Sequence, residues 1–194
     1  MSEFVPTISH IVCFDKGFNI GVVDKDTNQY YMPWGHTLKG DLKRFKELTQ
    51  NNIVIMGTNT YKSIGKPLPN RINIIVGTTY NYLDSKNIYV RDNLDDALTL
   101  ADYLAHRDQK DIFIIGGSSI YEQTSHLISK AYITAIDTDY THRPFKFNNY
   151  ALTNYNTSYL SSFKIQSVQL YKEPYFTPNI YFTTWVKPSS NSLE

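Results

Sequence analysis

Four stretches of this chain carry residue types that could grip a ligand. Asp41 lies one helical turn before Phe45, and residues at i and i+4 share a face. A carboxylate at the edge of an apolar pocket can accept two parallel hydrogen bonds from a planar ligand with adjacent N–H donors. Desolvation raises the pKa of such a carboxylate, so it can also bias the ligand's protonation. Gly57-Thr58-Asn59-Thr60 follows an apolar run and opens a helix. That geometry leaves backbone N–H groups and a positive dipole end free for phosphate. Gly116-Gly117-Ser118-Ser119 repeats the arrangement after Ile112–Ile115. Two such turns at the ends of parallel strands would suit a dinucleotide's pyrophosphate. The spacing is not G-x-G-x-x-G, which argues against an ordinary Rossmann dehydrogenase. Arg71, pinned behind Pro67-Leu68-Pro69-Asn70, could clamp a carboxylate through its guanidinium fork. Taken singly, each has a plainer explanation: an exposed helix-start aspartate, a capped turn, a solvated arginine. The five histidines show no ligand spacing, so no metal site is expected.

The surrounding elements must position these groups. Ile8–Phe14 reads as a buried strand, and Asp15–Tyr31 as a long polar loop ending at Met32-Pro33-Trp34. A helix follows, with Leu42, Phe45 and Leu48 on one face and Asp41 in its first turn. Ile53–Met56, Ile72–Val76, Ile88–Val90, Ile112–Ile115 and Ala131–Ile136 read as strands. Thr58–Ile64, Leu94–Leu104 and Ser118–Leu127 read as helices, the second capped by Asp92 or Asn93. Phe163–Tyr171 and Asn179–Val186 read as an antiparallel hairpin. Continuous apolar strands alternating with short helices predict an α/β fold, a mostly parallel central sheet with flanking helices. One domain over residues 1–187 is expected, with a polar, disordered tail over 188–194.

A charge of +1 across 194 residues, with scattered lysines and arginines, gives no electrostatic case for nucleic acid or membrane. No signal peptide or membrane-length apolar run is visible. The lone cysteine, Cys13, excludes an internal disulfide and fits a cytoplasmic protein.

In order along the chain, Ile20-Gly21, Met32-Pro33-Trp34, Asp41-Leu42 with Phe45-Lys46, Ile55-Met56-Gly57, Thr60, Ser63-Ile64-Gly65, Pro67-Leu68-Pro69, Arg71, Ile114-Ile115-Gly116-Gly117 with Tyr121-Glu122, and Tyr132-Ile133-Thr134 with Ile136-Asp137 resemble the dihydrofolate reductase family. The resemblance runs from about Ile8 to Val186 and implies hydride transfer from NADPH to C6 of dihydrofolate with protonation at N5. It implies that Asp41 and Thr134 hold the pterin and that the loop of Met32 and Trp34 admits the water that brings the proton. Ile11, Val12, Leu42, Phe45, Ser63, Ile64 and Leu68 would line the folate pocket, with Arg71 on the glutamate α-carboxylate. Cys13, Ile20, Gly21, Gly57, Thr58, Thr60, Thr78, Gly116, Gly117, Ser118, Ser119, Ile120 and Tyr121 would face the cofactor. A cis peptide would join Gly116 to Gly117. Methotrexate and trimethoprim would inhibit, and a monomer is the default.

Three departures from the family pattern stand out. Residues 35–40 extend the segment before Asp41. Thr58, Thr78 and Ser119 are neutral where relatives often place cations for the adenosine 2′-phosphate, which leaves NADH use open beside NADPH. Thr141-His142-Arg143-Pro144 replaces a Gly-Asp-Thr turn that steadies the lid. Other readings compatible with the residues are a pterin or pyrimidine reductase on the same fold, and a folate- or nucleotide-binding assembly protein without turnover.

Overall fold

The computed structural model describes residues 4–35, 38–80 and 85–188. In chain order the strands are β1 (Ile8–Asp15), β2 (Asn19–Asp24), β3 (Gln29–Tyr31), β4 (Ile53–Gly57), β5 (Ile72–Val76), β6 (Ile88–Arg91), β7 (Ile112–Ile114), β8 (Lys130–Ile136), β9 (Tyr150–Asn154), β10 (Lys164–Tyr171) and β11 (Ile180–Val186). The helices are α1 (Lys39–Thr49), α2 (Thr58–Ile64), α3 (Leu94–Asp108) and α4 (Ser118–Thr124), with a 3-10 helix at Ser158–Ser162.

An eight-stranded sheet runs β10-β11-β8-β1-β7-β4-β5-β6. Its six strands from β8 to β6 are parallel; β11 joins β8 antiparallel and β10 joins β11 antiparallel. The parallel strands are apolar at nearly every position because helices cover both faces. Side chains alternate across the sheet, so Ile55 and Ile74 pack with Ala97, Ala101 and Leu104 of α3, while Val54, Met56 and Ile75 pack with Tyr61 of α2 and Phe45 of α1. The helix boundaries follow their signals. The Asn93 side chain accepts the Asp96 N–H at 2.9 Å to cap α3, and Gly65 ends α2 at φ +78°. α4 stops at Thr124, one turn short of the expected Leu127.

The reading of Asp15–Tyr31 as a loop is corrected. It folds into the β2–β3 hairpin, and β2 also pairs with β9 in a separate sheet ordered β3-β2-β9. The polar residues that suggested a loop make its turn: the Asp24 carboxylate accepts the Asp26 N–H and the Thr27 hydroxyl. The expected tail lies outside the described residues from 189 onward. Among the described residues no helix is long and apolar enough to cross a membrane.

Candidate active site

Asp41 occupies the first turn of α1, and two contacts fix where that turn sits. The Gly40 N–H donates to the Glu173 carboxylate at 2.8 Å, from the segment between β10 and β11. Leu38 at the N-cap has no side-chain acceptor of its own, so the distant Glu173 supplies one. The absent Cβ of Gly40 lets the helix lie against the ring of Tyr171.

Burial pushes the Asp41 carboxyl above its usual range. The Thr134 hydroxyl on β8 and the Arg44 guanidinium oppose that rise, whereas the Glu173 carboxylate adds to it. Arg44 reaches past Asp41 to β8 and β11. Its Nη1 lies 3.4 Å from Thr134 Oγ1, and its Nη2 donates to the Thr183 carbonyl at 2.9 Å. Its guanidinium also lies over Phe182, 5.0 Å from the ring centroid, and 5.9 Å from that of Tyr132. The Cys13 thiol is pushed up by burial and by the charges of Asp41 and Asp15, which keeps it neutral at physiological pH. Met32, Trp34, Gly35, Leu38, Asp41 and Leu42 enclose a cavity of about 10 Å³, the scale of one water. Met32, Trp34 and Gly35 of the lid segment therefore lie beside Asp41.

Apolar residues extend the site along α1 and α2. Ile11, Phe45, Ile64 and Leu68 join one cluster, and Leu42 stands at the mouth, 47% exposed. Val12 does not line this pocket with its side chain. It follows Ile11 in a strand, points through the opposite face, and packs in the α3 core. The Ser63 hydroxyl donates to the Tyr30 carbonyl at 3.3 Å, and Lys62 Nζ to the Asn28 carbonyl at 2.6 Å, so the β2–β3 hairpin rests on α2. Arg71 is not solvated: it is 6% exposed. Its Nε donates to Thr49 Oγ1 at 2.7 Å, its Nη1 to the Pro69 carbonyl at 2.6 Å and its Nη2 to the Lys46 carbonyl at 3.3 Å. Three of its five N–H donors are thus fixed, which orients the remaining two.

The two glycine turns meet. Gly57 N–H donates to the Gly116 carbonyl at 2.8 Å, and the Gly116–Gly117 peptide is cis. A Cβ at Gly116 would meet the Tyr121 ring at 3.2 Å and Thr60 Oγ1 at 3.4 Å, and φ there is +116°. The Ser118 hydroxyl, at the start of α4, is buried without a partner among the described residues. Bare glycine backbone, the Thr60 hydroxyl and an orphaned hydroxyl form a cradle that fits the phosphates of a dinucleotide. Other expected contacts are differently placed. The Thr58 hydroxyl donates to the Val76 carbonyl at 3.0 Å, Thr78 is exposed, and Ser119 Oγ accepts from Gln123 Nε2 at 2.8 Å. Ile120 and Tyr121 turn their side chains into the core, where the Tyr121 hydroxyl donates to the Ile11 carbonyl at 2.7 Å. They support the cradle from beneath. Ile20 and Gly21 belong to β2, and Cys13 has both Asp41 and Tyr121 as electrostatic neighbours.

Two site residues escaped the sequence reading. Arg44 is three positions from Asp41, a helical neighbour spacing that could have drawn notice. Glu173 has no local signal; only the fold brings it to Gly40.

The dihydrofolate reductase family model matches residues 7–177. The chain is 37% identical over 133 residues to a dihydrofolate reductase of Buchnera aphidicola subsp. Acyrthosiphon pisum, covering 68% of this chain and 73% of that protein. It is 28% identical over 194 residues to the type 9 dihydrofolate reductase of Escherichia coli, covering 97% of each. Its fold is similar to a solved Enterococcus faecalis dihydrofolate reductase complexed with NADP(H) and RAB-propyl, at TM-score 0.72 and 22% identity over 94% of this chain and 97% of that one. By its matched residues and its fold, this chain belongs to the dihydrofolate reductase family.

Proposed function

We infer that this chain reduces 7,8-dihydrofolate to 5,6,7,8-tetrahydrofolate with NADPH, the step that keeps one-carbon metabolism and thymidylate synthesis supplied. The observation that carries the reading is the Asp41–Thr134 pair beside Met32 and Trp34, on the same sheet as the paired-glycine cradle. Asp41 accepts the two adjacent N–H groups of the pterin edge, and Thr134 orients the carboxylate. Ile11, Leu42, Phe45, Ile64 and Leu68 hold the ring and the benzoyl group by apolar contact, and Arg71 presents its two remaining N–H donors to the glutamate α-carboxylate. The cradle of Gly57, Thr60, Gly116, Gly117 and Ser118 holds NADPH, which supplies the hydride when bound. Met32 and Trp34 exclude bulk water while admitting the single water whose proton goes to N5.

The neutral Thr58, Thr78 and Ser119 leave the 2′-phosphate without the usual cations, so NADH also serves as a donor. The domain spans residues 1–187 and works as a cytoplasmic monomer with Cys13 reduced; methotrexate and trimethoprim compete for the Asp41 site. The test follows absorbance at about 340 nm, where reduced nicotinamide absorbs. Dihydrofolate is supplied with NADPH or NADH, and Asp41→Asn is assayed alongside. Turnover is expected with wild type and lower by about a hundredfold or more in Asp41→Asn. Folded wild type that turns over with neither cofactor would overturn the reading.

A further inference from the structure

Arg44 is not explained by pterin binding alone. It is a cation three residues from the carboxylate that holds the pterin, and it is not solvated like a surface arginine. Two strands and two rings fix it: Thr134 on β8, the Thr183 carbonyl on β11, and the faces of Phe182 and Tyr132. Through Thr134 it stands one hydroxyl away from Asp41. Resting on the reductase reading above, we propose that Arg44 is a specificity-determining positioning residue, whose fixed charge makes the Asp41 site select uncharged pterin rings over protonated diaminopyrimidine rings.

The selection is electrostatic. A pterin has a carbonyl at ring position 4 and enters the site uncharged. A 2,4-diaminopyrimidine has an amino group there instead, which makes its ring nitrogen basic enough to hold a proton near neutral pH. Such an inhibitor binds Asp41 as a cation, and a neighbouring guanidinium repels it for as long as it stays bound. Dihydrofolate carries its added proton only during turnover, so its binding is less affected. The same repulsion must act on that transient proton at N5.

Among the described residues, the charged and titratable groups around Asp41 come from four elements. They are Arg44 on α1, Cys13 on β1, Tyr132 on β8, and Glu173 between β10 and β11; Tyr121 of α4 lies farther behind Cys13. Among these, Arg44 is the cation. Its loss removes the repulsion on the transient N5 proton, so the alkaline limb, on which turnover falls as that proton is lost, should move upward.

The experiment compares wild type with Arg44→Gln, Arg44→Met and Arg44→Lys. Met keeps the aliphatic cover over Phe182, so a neutral variant remains if Gln does not fold. Trimethoprim and folate affinities are measured by titration calorimetry at pH 7, with the KM for dihydrofolate and the pH profile of kcat. The neutral variants are expected to bind trimethoprim about tenfold tighter, with folate affinity and KM within threefold of wild type. Their alkaline limb should move up by about one pH unit, and Arg44→Lys should stay near wild type. A trimethoprim gain below threefold, an equal change for both ligands, an unmoved limb, or Lys behaving like Gln would overturn the proposal. Wild type that binds both ligands without turnover would overturn the reductase reading instead, and the affinity ratio would still decide the role of Arg44.

Discussion

Gly40→Ala separates helix propensity from the packing that sets Asp41. In an isolated helix the change favours folding by about 1 kcal/mol, because glycine loses more backbone entropy than alanine. Here the added Cβ would lie 2.6 Å from the phenolic oxygen of Tyr171 and closer still to two of its ring carbons. Ordinary contact begins near 3.4 Å, so the ring or the helix must move by about 1 Å. The ring is not free to yield, since it stacks on Phe182 at a centroid distance of 5.0 Å. The helix must yield, which also strains the Gly40–Glu173 hydrogen bond. Overpacking of this kind costs about 1–3 kcal/mol, which outweighs the propensity gain. The expected net loss, up to about 2 kcal/mol, lowers Tm by up to roughly 8 °C in a chain of this size. Turnover should fall further than stability suggests, because Asp41 moves with the helix and a 1 Å misplacement can cost about a hundredfold. Thermal and urea unfolding, with cofactor oxidation as the activity readout, test this. Tyr171→Leu in the Gly40→Ala background should restore much of both. A Gly40→Ala protein that is more stable than wild type and fully active would refute the packing argument.

Two further outcomes follow from buried groups. Burial holds the His10 imidazole at about 3, against 6.5 when exposed, and its nitrogens meet the Tyr155 hydroxyl and Thr124 Oγ1, each at 2.8 Å. The unfolded chain therefore takes up a proton that the fold refuses: the stability from His10 is complete above pH 6.5 and is lost as pH falls toward 3, amounting to about 2 kcal/mol by pH 5. Urea unfolding at pH 7.5, 6 and 5 should show that slope in wild type and a flatter one in His10→Gln; equal slopes would exclude His10 as the cause. Gly116→Ala places a side chain at φ +116° against Tyr121 and Thr60, so a loss of about 1–3 kcal/mol is expected. The KM for NADPH should rise more than the KM for dihydrofolate; equal increases would place the damage outside the cradle.

How much of this was legible follows from the range of each interaction. The parallel strands declared themselves because burial on both faces leaves continuous apolar runs such as Ile53–Met56 and Ile112–Ile115. The same continuity hid which residue faces which way, so Val12 was placed in the pocket with Ile11 although a strand sends them to opposite sides. Asn93 as a cap and Gly65 as a stop were legible because their partners lie within four residues. The β2–β3 hairpin was not, because its strands are short and half-exposed, and its third partner, β9, is more than a hundred residues away.

The acidic site was half legible for the same reason. Asp41 and Arg71 are visible from local pattern, and Thr134 from the family resemblance, but the other groups that control Asp41 are not. Thr134, the Thr183 carbonyl, Phe182, Tyr171 and Glu173 all come from the chain's last third and reach α1 across intervals of 90 residues or more. β10 and β11 are therefore more than edge strands closing a sheet. They deliver the residue that holds the start of α1, the ring that sets its height and the carbonyl that anchors Arg44. Substitutions in this hairpin should thus alter ligand choice and pH response without touching a ligand, by moving the groups that set the charge at Asp41.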